Sequence, residues 1–136
     1  MCLYTKNIEP TVLNEDLTVY KVVIVKRGLY YSPYMNTLLR ESPKGKVNPI
    51  VIEEGAIHAC SNYTGAEKVL ESLKYHYPKY KYVIITGIIP KGTEFWTAYW
   101  KEDSSIASKY IKFKLSKRQR FLMRLRDIYE TLYSKR

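Results

Sequence analysis

Tyr80 to Trp100 reads YKYVIITGIIPKGTEFWTAYW, and this stretch decides the fold. Val83-Ile84-Ile85 and Ile88-Ile89, parted by a Thr-Gly step, form a dense β-branched run. Such residues suit a buried pleated surface, and a run this short suits a strand better than a helix. Pro90 has no N–H and Gly92 tolerates positive φ, so Pro90-Lys91-Gly92-Thr93 reads as a turn. Phe95 to Trp100 follows as a second strand. The expectation is two neighbouring strands, a hairpin, at the centre of a sheet.

Outward from that centre, Leu17–Val25 (LTVYKVVIV) is the first strong strand, with Lys26-Arg27-Gly28 as its turn. Leu29-Tyr30-Tyr31 starts a short return strand, stopped by Ser32-Pro33. Residues 34–49 read as a long loop with one short strand at Leu38-Leu39, and loops this long are more often functional than connecting. Ile50-Val51-Ile52 and the short buried strand Ala56–Cys60 flank Glu53-Glu54-Gly55. Thr64 and Glu67 have capping-box spacing for a helix over 64–77, which Pro78 ends. Lys101–Ser105 reads as a polar turn, Ile106–Ser108 as one helical turn and Lys109–Leu115 as a half-exposed strand. Ser116 caps a last helix over 117–133. Its Phe121, Leu122, Leu125, Ile128, Tyr129 and Leu132 form one apolar stripe, expected to pack on the domain. Met1–Asp16 has no period and reads as an irregular lead-in. The sum is a single α+β domain over 1–136, with a mostly antiparallel sheet of five or six strands, one internal helix and a basic C-terminal helix within 116–136.

The chain has 136 residues, 46% hydrophobic and 26% charged, which is ordinary for a soluble domain. Fourteen tyrosines are not ordinary. Tyr offers a ring with a polar tip, so these suit either a half-wet ligand-facing surface or an aromatic rim on a small core. Cys2 and Cys60 build no disulfide framework, and no leader or ~20-residue apolar run is visible, so the expected location is cytoplasmic. The charge of +10 is local: residues 109–136 carry ten Lys/Arg against Asp127 and Glu130. Such a patch favours phosphate-bearing or acidic partners.

The opening MCLY, TVYKVV, Ser32-Pro33-Tyr34, Glu54–Ala59, Ile89–Thr93 and Ser105–Ser108, in this order, resemble a family of small uncharacterised proteins. Tailed bacteriophages of gut bacteria and related prophages encode them. The resemblance covers about residues 1–115 and brings no activity with it; it implies the cytoplasm of a host bacterium. The basic helix lies beyond the shared part.

The candidate ligand-binding residues are Tyr20, Tyr34, His58, Lys91, Thr93, Ser105 and Ser108. Aromatics stack on a base, and Lys91, Thr93 and backbone N–H groups suit a phosphate, although the glycine pattern of a P-loop is absent. The loop at 30–46, His58 and the 90–93 turn each lie at a strand end, which predicts that they converge. His58 is either a ligand-binding group or a satisfied structural histidine. His58 with Glu94 would be the grip and late glutamate of an NAD-dependent ADP-ribosyltransferase-like enzyme, but the surrounding motifs do not match. Lys117, Arg118, Arg120, Arg124 and Arg126 suit a nucleic-acid backbone, or are a solvated face. No metal-ligand spacing, cofactor motif or activated nucleophile is present. The leading expectation is a non-catalytic binder of a small phosphorylated or nucleotide ligand, in one form a sponge for a host immune signal. A nucleic-acid-binding accessory protein and the transferase are the alternatives.

Overall fold

The computed structural model describes residues 4–5, 10–33, 37–42, 56–100 and 102–133. The order is β1 (Tyr4–Thr5), β2 (Thr11–Val12), β3 (Leu17–Lys26), β4 (Leu29–Ser32), β5 (Thr37–Leu38), β6 (Ile57–Cys60), α1 (Tyr63–His76), β7 (Lys81–Ile89), β8 (Glu94–Trp100), β9 (Glu102–Ser108), β10 (Lys112–Phe113) and α2 (Lys117–Tyr133). All ten described strands join one sheet, and their described pairs are antiparallel. The α+β class is as expected, but the sheet is larger than five or six strands, because several segments contribute only two residues each. The lead-in supplies two of these, β1 and β2, both paired with β8. Ile50-Val51-Ile52 lies outside the described residues.

β3 is the axis. One edge pairs with β7 along its whole length, from Leu17↔Ile89 to Val25↔Lys81. Its other edge is shared: β4 takes Ile24 to Lys26, and β6 meets it at Tyr20↔Cys60. From β6 the sheet continues through β9 to β8. The expected central hairpin does not form. β7 pairs with β3 and β10, while β8 pairs with β9, β1 and β2, so the 90–93 turn links two separate parts of the sheet. It is a turn as read, with Thr93 N–H donating to the Pro90 oxygen at 3.1 Å and Gly92 at φ +84°. Ile106–Ser108 is strand, not a helical turn: it is the middle of the β6–β9–β8 ladder, and pairing on both sides overrides a short local preference.

Alternation along β3 splits the core between two faces. Val19 and Val23 join Ile85, Ile89, Phe95, Ile106, Ile111 and Phe113 on one, with Met123 of α2. Val22 and Ile24 join Cys60 and Tyr82 on the other, covered by Ala66 and Leu73 of α1. Gly87 permits the first face to close: a Cβ there would stand 2.8 Å from Ile111 Cγ2 and 2.9 Å from Phe113 Cδ1.

The helix ends depart from the sequence reading in one place. Asn62, not Thr64, caps α1, its Oδ1 accepting from Gly65 N–H at 2.7 Å. α2 begins as expected: Ser116 Oγ accepts from Gln119 N–H at 3.1 Å, and Gln119 Oε1 accepts from Ser116 N–H at 3.2 Å.

Candidate functional site

α2 meets the domain through polar groups. Arg120 donates from Nη1 to Glu41 Oε1 at 2.8 Å and from Nη2 to the Phe113 oxygen at 2.6 Å. Glu41 Oε2 also accepts from Phe113 N–H at 2.9 Å, so one carboxylate ties α2 and β10 together. The hydrogen bond to Glu41 chiefly raises the Arg120 pKa above its ordinary value. Gln119 donates to the Tyr30 hydroxyl at 2.7 Å, and Arg40 pairs with Asp127 at 2.8 Å. Met123 is the buried apolar residue of this inner face.

The apolar stripe expected to pack inward faces the other way. Phe121 is 62% exposed, Leu125 49%, Ile128 51% and Leu132 65%. At 100° per residue these four fall within ~60° of one another, while Met123 and Asp127 lie on the far side of the cylinder. Periodicity identified the stripe correctly and its destination wrongly, because the Glu41–Arg120 clasp fixes which side of α2 meets the domain.

The five cations proposed for nucleic acid are not equivalent. Arg120 is committed to Glu41 and Phe113. Arg126 pairs with Glu130 at 3.1 Å and lies over the Tyr129 ring. Lys117, Arg118 and Arg124 are exposed and make no ion pair with any described residue.

The candidate ligand residues fall in several places. Tyr20 is half-buried on β3, edge-on to Tyr63 at 5.7 Å, with Cys60 opposite it in register. Ser105, buried, stands opposite Cys60 on the next strand. Ser108 is fully buried, and its hydroxyl is engaged with the Tyr110 backbone, accepting from N–H and donating to the oxygen. By strand alternation it faces the opposite side of the sheet from Ser105. Lys91 and Thr93 sit on the turn, which hydrogen bonds tie to Asp16 and to Leu13. Tyr34 lies outside the described residues. Two clefts, of about 550 and 300 Å³, flank α2, and none of the six described candidates is among their described lining residues.

His58 is half-buried on β6 beside Ala107 in register. Its main-chain oxygen accepts from the Lys21 ammonium at 2.7 Å. Lys21 was not singled out in the sequence, although it is the one charged residue inside LTVYKVVIV. Burial lowers its pKa from 10.5 to about 8, with the charge on Cys60 acting in the opposite direction. The bond lies where β3 changes partner from β6 to β4, so the amine serves a carbonyl at the parting of two strands.

Glu94 is paired with Lys109 at 3.2 Å. The registers His58↔Ala107 and Ala107↔Trp96 put Glu94 two strands and two residues from His58, a Cα separation of roughly 12 Å. Among the described residues no group of three or more His, Cys, Asp or Glu side chains is placed to hold a metal ion. No described helix is long and apolar enough to cross a membrane. No protein-family model matches the chain, and comparisons with curated proteins and with solved structures find no match.

Proposed function

We propose that this is a non-catalytic binding protein whose working surface is the outward face of α2. The observation that carries this reading is the row Phe121, Leu125, Ile128 and Leu132, turned to solvent by a helix whose other side is already clasped. A contiguous exposed apolar face of this kind marks an interaction site. The separation of His58 from Glu94 supports binding over transfer chemistry. The test is a photo-crosslinking residue placed at Leu125, and separately at exposed Lys68 on α1, in cells expressing the full chain. Adducts at 125 and none at 68 are expected, with nuclease, protease and lipase digestion giving the class of the partner. Equal labelling at both positions, or none at 125, overturns the reading.

A second reading keeps a small phosphorylated or nucleotide ligand, such as a host signalling nucleotide held by a phage protein. One observation favours it: the Lys26 ammonium lies 5.4 Å from the Tyr31 ring centre and 4.9 Å from that of Tyr80, a cation within an aromatic cluster. Protein purified from its host and denatured by heat should then release an intact nucleotide, less of it from Lys26→Gln. Absence of any nucleotide in the supernatant removes this reading.

A further inference from the structure

We propose that the outward face of α2 docks an acidic amphipathic helix of a partner protein, an inference that rests on α2 being the working surface. Phe121, Leu125, Ile128 and Leu132 are spaced by four, three and four residues. That is the heptad spacing of a two-stranded helical seam, where each side chain enters a hole on a facing helix. The edges of the row keep the same period. Lys117 and Arg124, seven apart, border one side, and Leu122 and Tyr129, also seven apart, border the other.

Charge selects the occupant. The two acids of α2 are committed, Asp127 to Arg40 and Glu130 to Arg126. Lys117, Arg118 and Arg124 have no ion pair with described residues, so the edge of the row that Lys117 and Arg124 border is cationic, with Arg118 adding charge at its N-terminal end. A second copy of α2 would bring like charge to like charge, which opposes pairing. A nucleic acid would meet four apolar side chains at the centre of the contact, where phosphate binding needs cations. An acidic helix with apolar residues at heptad spacing satisfies both the row and its cationic edge. A seventeen-residue helix is about 25 Å long, so the interface is small and the affinity is expected in the micromolar range.

The probe is a synthetic peptide of three heptads, Leu at both seam positions and Glu at the flanking ones, titrated into the full chain by calorimetry. Saturable one-to-one binding is expected, at least tenfold weaker for Leu125→Asp/Ile128→Asp and several-fold weaker for Lys117→Glu/Arg124→Glu. The same peptide with Lys in place of Glu should not bind. These side chains are exposed, and circular dichroism of each variant confirms that the fold persists. Failure of the acidic peptide to bind, or undiminished binding by the Leu125→Asp/Ile128→Asp variant, overturns the proposal. So does preference for phosphatidylglycerol vesicles or duplex DNA, or a dimer in sedimentation that the same variant abolishes. Crosslinks at Leu125 without peptide binding leave the α2 reading standing and remove this one; loss of both removes both.

Discussion

The Lys21 ammonium donates to the main-chain oxygen of His58 across 2.7 Å, inside the sheet where β6 parts from β3. The bond satisfies a carbonyl that would otherwise be costly to bury, and it places a charge where water is excluded. Because the folded pKa is about 8 and the unfolded value 10.5, the cost of burying the charge is present in full below pH 8. Between pH 8 and 10.5 the unfolded chain binds more protons, so this group's contribution to stability rises with pH. The difference in unfolding free energy between wild type and Lys21→Met should move by about 3 kcal/mol in favour of wild type across that window. Urea titrations of both proteins at pH 7.5 and pH 10.5 check it. The subtraction removes the tyrosine titrations that the two share. A pH-independent difference would show that the amine is not buried.

Gly87→Ala should destabilise by about 1–3 kcal/mol, because its methyl meets two buried side chains of the segment that closes the core. Adding Phe113→Leu should cost less in the Gly87→Ala background than alone. Chemical denaturation of the four proteins of this cycle measures the coupling; additive losses would place the clash elsewhere.

Met123→Asp should unfold the α2 contact, whereas Leu125→Asp should leave the melting temperature within a few degrees of wild type. The opposite ranking would mean that the helix packs by its apolar stripe after all.

Glu41 holds both Arg120 and the Phe113 N–H, so Glu41→Ala should cost on the order of 1–2 kcal/mol, reduced by the partial exposure of the pair. Amide hydrogen exchange should rise in α2 and in β10 while the β3–β7 ladder keeps its protection. Uniform loss of protection across the domain would refute a local clasp.

Asn62→Ala should cost about 1 kcal/mol through the lost cap, and Thr64→Ala should be close to neutral. Thermal melts of the two single variants compare them directly. Equal losses would restore Thr64 as the capping residue.

Much of the local structure was legible in the residues themselves. LTVYKVVIV and VIITGII are strands because their β-branched density leaves little else for them to be, and Gly92 sits where the turn requires positive φ. Ser116 announced the start of α2 as its cap, and the structure adds Gln119, three residues on, as its reciprocal partner. The candidate site was legible only as a list of side chains. The apolar row of α2 was visible, but Glu41, whose bond to Arg120 spans 79 residues, decides that the row faces water. Lys21 looked like one charge in a strand until β6 and β4 were seen to divide the edge of β3 around it. Tertiary structure alone also showed that β7 and β8 part after their turn, β7 to β3 and β10, β8 to β9. Periodicity and turn chemistry act between near neighbours and so can be read along the chain. Strand partners and the facing of a helix are set by contacts between residues far apart in sequence, and these exist only once the chain has folded.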